Sequence, residues 1–227
     1  MPDTNIITWD EPEKRTYETG VDHGVLYTNY QNDGSFTSAE AWNGLTNVNE
    51  NPSGAEETAL WADNMKYLSI RSAENFGLTI EAYTYPDSFA ECDGSREIVQ
   101  GVKLHQQTRK TFGFSYRTIK GNDVLDNDYG YLLHLVYNCT ASPSQRGYQT
   151  VNESPEAITF SWEVTTTGAV VNSSVLANAK PSALVTIDST KVDASKLKSL
   201  ENILYGTTEA AAKLPDINTV LTMLKGE

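Results

Sequence analysis

Apolar and polar residues alternate strictly along three stretches of the chain: residues 78–85 (LTIEAYTY), 109–117 (RKTFGFSYR) and 158–165 (ITFSWEVT). Successive side chains of a strand point to opposite faces, so this period of two predicts antiparallel strands with one packed and one polar face. We expect the apolar face of each stretch to lie in the core: Leu78, Ile80 and Ala82 in the first, Phe112, Phe114 and Tyr116 in the second, and Ile158, Phe160, Trp162 and Val164 in the third. The polar faces of the first and third stretches carry hydroxyls and acids: Thr79, Glu81, Thr159, Ser161 and Glu163.

A fourth stretch, residues 131–137 (YLLHLVY), is apolar on both faces, which is typical of a central strand. Further strands are predicted near residues 22–28, 39–49, 58–68 and 183–188. Turn-forming residues separate the strands at QNDGS (31–35), NENPSGAEE (49–57), KGNDVLDNDYG (120–130) and SPSQRG (142–147).

Helical periodicity is confined mainly to the end of the chain. Residues 193–206 form one apolar stripe, with Asp193 suited to cap the start and Gly206 to end the helix. Residues 215–225 form a second stripe, and residues 168–181 are expected to be a long loop or an extra edge element. The pattern predicts a single mainly β domain, residues 1–227: an antiparallel β-sandwich or partly open barrel with one or two flanking α-helices within about 193–225.

Size and composition narrow the class of protein. A chain of 227 residues is long enough to bury a real core, and it has no apolar run of the ~20 residues that a membrane helix needs. The N-terminus lacks the basic start and apolar run of a secretory signal, so we expect no secretion and no membrane insertion. Two cysteines 47 positions apart do not make a disulfide framework, which favours reduced thiols in a cytoplasmic setting.

The acidic and basic residues are unevenly distributed. The net charge of −13 disfavours general nucleic-acid binding, because such a chain adds like charge instead of releasing counterions. Residues 16–65 contain eight acids and no Lys or Arg, whereas residues 96–120 contain six bases and one acid. Two interpretations stay open: two solvated surfaces that happen to differ, or complementary patches through which copies of the chain meet head to tail.

Residues 83–95 (YTYPDSFAECDGS) are the strongest candidate for a chemical site, because three acids and Cys92 crowd together. The three histidines are scattered without metal-ligand spacing, and a hard cation needs more oxygens than the loop supplies. We therefore interpret the stretch as a strand end, a short helical turn at 87–92 and a second turn. We predict no catalytic residue, no metal and no cofactor.

Two other motifs fail on inspection of their spacing. DNDYG (126–130) lacks the later positions of a calcium loop. KTFGFSYR (110–117) resembles the RNA-stacking strand of the RRM at four positions, but the surrounding element order is missing and the protein is acidic. We expect Phe112, Phe114 and Tyr116 to be core residues.

Long stretches of the sequence resemble one known family: TYETGVDHGVLY (16–27), AWNGLTNVNENPSGAE (41–56), LWADNMKYL (60–68), FGLTIEAYTYPDSFAECDGS (76–95), RKTFGFSYRT (109–118), NDYGYLLHLVYN (127–138), SPEAITFSWEVTTT (154–167) and TIDSTKVDASKLKSLENILYGT (186–207). Over roughly residues 8–207 the chain resembles the major tail tube proteins of long-tailed, non-contractile siphovirus phages of Gram-positive bacteria. Residues 168–181 and the tail after Gly206 are the least similar.

The resemblance implies a structural protein of the virion tail, assembled in the host cytoplasm. Such proteins form hexameric rings that stack into a tube, and their inner sheets join into one barrel around a lumen. DNA passes through this lumen without specific binding. A long hairpin reaches the adjacent ring, and residues 42–62 are the candidate here. The implied partners are further copies of the chain, the tape-measure protein, and the tail tip and terminator proteins.

Within this hypothesis we assign two sets of residues. The polar strand residues Thr79, Glu81, Thr159, Ser161 and Glu163 are expected to face the lumen, where acids would repel DNA phosphates. The charge split places Glu50, Glu56, Glu57, Asp63, Arg109 and Arg117 at the inter-subunit interface. If the two arginines meet these acids across the contact, reversing both to Glu should weaken tube assembly.

Three alternatives remain at the level of sequence. Twelve tyrosines and four tryptophans suit a carbohydrate-binding β-sandwich. An acidic cytoplasmic enzyme would be indicated by turnover that is lost on mutation of Glu91 or Asp93. A different virion part, such as a capsid decoration or head–tail connector protein, is separated from a tube protein only by the resemblance.

Overall fold

A computed structural model describes residues 7–151 and 156–225 of the chain. The protein is mainly β, with a large antiparallel sheet and two helices in a sandwich-like arrangement, which confirms the predicted fold class. The sheet does not close into a barrel. The strands are β1 (Thr16–Tyr30), β2 (Phe36–Ala41), β3 (Leu45–Glu50), β4 (Ser53–Gly54), β5 (Glu57–Ala62), β6 (Met65–Arg71), β7 (Glu74–Asn75), β8 (Gly77–Ala82), β9 (Arg96–Val99), β10 (Val102–Leu104), β11 (Phe112–Asn122), β12 (Asp126–Ala141), β13 (Phe160–Thr166) and β14 (Leu184–Asp188).

The main sheet contains eight strands. Seven follow the order β2-β1-β11-β12-β13-β8-β3, and β14 pairs with β12 beside this path. Two strands share one edge of the long strand β12: Leu132–Val136 pairs with β14, and Cys139–Ala141 pairs with β13. The predicted central strand at 131–137 is thus confirmed, with strands on both of its edges.

An inner core fills the space that the curved sheet encloses. The alternating apolar residues of β8, β11 and β13 point into it, including the aromatic set of the RRM-like stretch. Ile158 was predicted to share this packed face, but it precedes β13 and is 38% exposed. Aromatic rings pack edge to face at its centre, where the Trp42 ring centroid lies 5.5 Å from those of Phe114 and Trp162. The buried members are Leu26, Trp42, Leu78, Ile80, Ala82, Phe89, Cys92, Phe112, Phe114, Tyr116, Val136, Cys139, Ala141, Trp162 and Val164.

A second core lies on the opposite face of β1 and β12, beneath the helices α1 (Ala194–Tyr205) and α2 (Ile217–Lys225). The Asp193 carboxylate accepts hydrogen bonds from the backbone N–H groups of Ser195 and Lys196, and Gly206 follows the last turn with a φ of 79°. Both predicted helices are confirmed, as are the predicted ends of α1, whereas α2 begins at Ile217, two residues after the predicted start. Neither helix is long and apolar enough to cross a membrane, as judged over the described residues.

Several predicted boundaries were wrong. Residues 39–49 form two strands, because Gly44 turns the chain with a φ of 76° between β2 and β3. Residues 58–68 form most of the β5–β6 hairpin instead of one strand. The strand predicted at 109–117 begins only at Phe112, so Arg109 lies in the preceding loop.

The long hairpin is also displaced from the predicted residues 42–62. It lies between the paired strands β3 and β8 and comprises residues 51–76, with β5 and β6 at its end and β4 and β7 at its base. The helical turn predicted at 87–92 is present as a 3-10 helix, Asp87–Glu91. Residues 168–181 are mostly loop, closed by a bridge between Ala169 and Ser182.

Candidate functional site

Four of the five predicted lumen residues lie together on one face of β8 and β13. The register places Ser161 opposite Glu81 and Glu163 opposite Thr79. Directly opposed residues of an antiparallel pair point to the same face, so the hydroxyls and carboxylates form one surface. Thr159 precedes β13 and is exposed outside the strand.

The neighbouring strand β3 widens this surface, which the sequence pattern had not revealed. Asn47 lies opposite Glu81 and Asn49 opposite Thr79. The Asn51 side-chain amide donates a 2.9 Å hydrogen bond to Thr79 Oγ1. We call the surface formed by Asn47, Asn49, Thr79, Glu81, Ser161 and Glu163 the polar sheet face. The strands β3, β8 and β13 contain no Lys or Arg.

A β-bulge explains why Asn47 was missed. The register between β3 and β8 shifts between Leu45 and Asn47, so Thr46 is an extra residue. Leu45 and Val48 both pack against the inner core although they are three positions apart. The bulge breaks the period of two on which the sequence prediction depended.

The long ribbon, which we define as β5 paired with β6, is exposed along almost its whole length. The register pairs Leu60 with Leu68 and Thr58 with Ile70. Alternation along each strand therefore gives the ribbon an apolar face. Its large apolar members are between 41% and 61% exposed in the single chain. The apolar face consists of Thr58, Leu60, Ala62, Met65, Leu68 and Ile70.

The opposite face of the long ribbon carries charged residues together with the exposed Trp61, which lies opposite Lys66. Lys66 Nζ lies 2.5 Å from Glu57 Oε1, and Arg71 Nη2 lies 4.0 Å from Glu57 Oε2. Glu57, assigned to the inter-subunit interface, thus has partners within its own hairpin. Asp63 and Asn64, with φ values of 53° and 61°, form the tight turn at the tip. Glu56 is exposed at the base of the ribbon.

Glu50, also assigned to the interface, contacts the inner core of its own chain. The Tyr116 hydroxyl donates a 2.7 Å hydrogen bond to Glu50 Oε1. The same oxygen lies 3.6 Å from Nδ1 of the buried His134, whose ring stacks on Tyr116 at 4.6 Å between centroids. Burial lowers the pKa of His134, and the Glu50 carboxylate opposes this shift.

Arg117 is paired within the chain as well. Its Nε lies 3.2 Å from Asp22 Oδ1, and its guanidinium carbon lies 4.5 Å from the centre of the Tyr131 ring. Asp22 belongs to the acidic segment 16–65 and Arg117 to the basic segment 96–120. An acid and a base of the two segments therefore do pair, but within one chain. Reversing Arg117 would break this internal pair, and a loss of assembly would not by itself locate Arg117 at an interface.

Arg109 lies in a loop beside a buried acid. Its Nη2 donates a 3.1 Å hydrogen bond to the Asp93 carbonyl oxygen, and its buried Nε has no partner among the described residues. The Asp93 carboxylate pairs with Arg146. The guanidinium carbon of Arg146 lies 5.6 Å from the ring centre of Tyr85 and 5.5 Å from that of Phe160. Burial raises the pKa of Asp93, although the two arginines and His105 oppose this shift.

The acidic stretch 83–95 has the predicted structural geometry. Phe89 of the 3-10 helix packs into the inner core against Trp42. Cys92 is 1% exposed, and burial raises the pKa of its thiol to about 12, so the nucleophilic thiolate is disfavoured. Within residues 7–151 and 156–225, no three His, Cys, Asp or Glu side chains group closely enough to hold a metal ion.

No protein-family model matches the chain, and a search of the curated proteins also finds no match.

Proposed function

We propose that the chain is the structural subunit of a phage tail tube, which self-assembles into stacked, hexameric rings and conducts DNA into the host. The observation that carries the proposal is the polar sheet face at the end of an open sheet. Together with the resemblance over residues 8–207, it favours a subunit whose inner strands line a lumen. The tube would belong to the virion tail and would be assembled in the host cytoplasm.

The composition of the polar sheet face supports a conduit for DNA. It presents carboxylates, hydroxyls and amides, and its three strands contain no base. A lumen lined by such groups repels phosphate and offers no cation to hold it. DNA would therefore pass without specific binding.

The free edge of β3 supports ring formation. Within the described part of the chain, β3 pairs with β8 on one side and ends the sheet. An edge strand presents unpaired backbone N–H and C=O groups, which another strand can pair with. Pairing of this edge with a neighbouring subunit would continue the polar sheet face around the ring.

The long ribbon supports contact beyond one ring. Its apolar face is uncovered in the single chain, and exposed apolar surface of this kind marks protein–protein contacts. In the proposed tube the ribbon reaches the adjacent ring. The tape-measure protein would occupy the lumen during assembly, and tail tip and terminator proteins would bind the tube ends.

Electron microscopy of the concentrated purified protein tests the proposal, with light scattering for mass. Rings or hollow filaments are expected. A chain that stays monomeric at high concentration and binds glycans would favour the carbohydrate-binding alternative. That alternative has two exposed tryptophans to build on, Trp9 and Trp61, because Trp42 and Trp162 are buried. Monomers that bind purified heads instead would favour a connector or decoration protein.

A further inference from the structure

Two ribbons leave the sheet at opposite ends of β8. The long ribbon precedes Gly77, the first residue of β8, and its base also joins Glu50 at the neighbouring end of β3. The short ribbon, which we define as β9 paired with β10, follows the other end of β8 at Ala82 through the 3-10 helix. Six residues of strand, roughly 20 Å, separate the two attachment points.

Both ribbons expose apolar side chains that nothing in the described chain covers. On the short ribbon, Ile98, Val99, Val102 and Leu104 are 50% to 64% exposed. They match the apolar face of the long ribbon in size and in exposure. Uncovered aliphatic residues on two separate ribbons indicate two contact surfaces, since burying them in a partner is favourable.

The charges around the two ribbons are opposite in sign. Residues 51–76, which carry the long ribbon, contain four acids and two bases, whereas residues 96–104, which form the short ribbon, contain two bases and one acid. Pairing two long ribbons would bring like charges together, but pairing a long with a short ribbon brings opposite charges together. The charges therefore favour a head-to-tail contact over a symmetric one.

We propose that the apolar face of the long ribbon is covered by the short ribbon of a second copy of the chain. The inference rests on the proposed function and assigns the surface that receives the ribbon in the adjacent ring. Because the long and short ribbons lie at opposite ends of β8, a copy that uses one ribbon for a contact still has its other ribbon free to bind the next copy. A contact of this kind continues without closing, as stacking into a tube requires.

Disulfide trapping between two variants, each with one introduced cysteine, tests the contact directly. The native cysteines, Cys92 and Cys139, are buried and free, so they contribute little background. Leu68→Cys on the long ribbon is mixed with Val102→Cys on the short ribbon and oxidised at high protein concentration. The control mixes Leu68→Cys with Leu176→Cys, because Leu176 is 62% exposed in the loop 168–181, which hydrogen-bonds to α2 at Asn218 and Lys225.

We expect the 68–102 disulfide dimer to exceed the 68–176 dimer at least tenfold. Equal yields would overturn the contact. Electron microscopy of the same samples separates this result from the proposed function. Rings or filaments without enrichment of the 68–102 dimer would refute the contact between the ribbons but support the proposed tube. Enrichment of the 68–102 dimer without rings or filaments would support the contact but count against the tube. Absence of both would count against both.

A second pair of variants gives an independent readout. Ile70→Asp places a charge on the apolar face, and Leu176→Asp places the same charge on an equally exposed residue elsewhere. Circular dichroism confirms that both are folded. Ile70→Asp is expected to abolish stacking while Leu176→Asp retains it, and equal behaviour of the two variants would contradict the proposal.

Discussion

The hydroxyl of Tyr116 donates a 2.7 Å hydrogen bond to the carboxylate of Glu50. Tyr116 belongs to β11 in the middle of the sheet, whereas Glu50 is the last residue of the edge strand β3, immediately before the long hairpin. The bond therefore ties the base of the hairpin to the inner core across the open side of the sheet. Glu50 holds the hairpin to its own chain, whatever the hairpin contacts beyond it.

Removing Glu50 should destabilise the fold. Glu50→Ala leaves the nearly buried hydroxyl of Tyr116 without its acceptor, and we expect a loss of about 1 to 3 kcal/mol in the free energy of unfolding. Urea unfolding measures it. Tyr116→Phe should cost less, and the double variant little more than Glu50→Ala alone. Fully additive losses, or an equal loss in the exposed control Glu56→Ala, would contradict the role of the bond.

The ion pair between β11 and β14 should make stability depend on acid pH. Lys120 Nζ lies 2.5 Å from Asp188 Oδ2. Burial opposes ionisation of Asp188, but hydrogen bonds from Lys120 and Thr190 outweigh it and lower its pKa to about 2. In the unfolded chain the pKa of Asp188 is about 3.9, so the unfolded chain binds more protons than the folded one. The stabilisation is therefore complete above this value and is lost as the pH falls toward 2.

Asp188→Asn removes this dependence. With allowance for solvent screening, we expect wild type to exceed the variant by about 1 to 2 kcal/mol at pH 6, and the difference to shrink below pH 4. Urea unfolding from pH 7 to pH 2.5 follows it, with the exposed acid variant Glu209→Gln as control. A difference that stays constant with pH would show that the ionisation of Asp188 is not the cause.

The pair formed by Arg146 and Asp93 should anchor the segment that follows β12. Asp93 is only 8% exposed, so Arg146→Gln leaves a buried carboxylate without its partner. We expect a loss of about 2 to 4 kcal/mol and faster proteolysis near residues 142–151. Adding Asp93→Asn removes the uncompensated charge and should restore part of the stability. A double variant as unstable as the sum of the two single variants would refute the pairing.

Gly113 should not tolerate a side chain. A Cβ atom there would lie 2.5 Å from Leu214 Cδ2 and 3.2 Å from Phe36 Cδ2, both in the second core. Gly113→Ala is expected to cost about 1 to 3 kcal/mol through overpacking. Gly147→Ala is the matched control, because nothing lies within 4 Å of a Cβ atom at that position. Thermal unfolding compares them, and in a Leu214→Ala background the cost of Gly113→Ala should shrink.

Reversing the charge of the polar sheet face should create DNA binding. Glu81→Lys with Glu163→Lys adds two cations to a surface that has none. We expect binding of double-stranded DNA that weakens steeply with salt, measured by fluorescence anisotropy. Glu56→Lys with Glu209→Lys changes the net charge equally at exposed positions elsewhere and is expected to bind less. Equal DNA binding by both double variants would mean that the net charge of the protein, and not the charge of the polar sheet face, determines the affinity for DNA.

Short-range pattern was enough to predict much of the fold. The period of two in 158–165 and 109–117 predicts which side chains enter the core, and Phe112, Phe114 and Trp162 are buried as expected. Asp193 and Gly206 mark the ends of α1 because capping depends on a few adjacent backbone groups. Each of these features depends only on residues that are close together in the sequence.

The tertiary structure alone decided which distant residues meet. The sequence pattern does not predict the bulge at Thr46. This bulge places Asn47 on the polar sheet face. Glu50 contacts Tyr116, 66 positions away in the sequence, and Arg117 contacts Asp22, 95 positions away. The charges of Glu50 and Arg117 had instead suggested contacts between subunits. Alternation determines the face on which a side chain lies, whereas its partner depends on strand register and sheet curvature, which arise only when the whole chain packs.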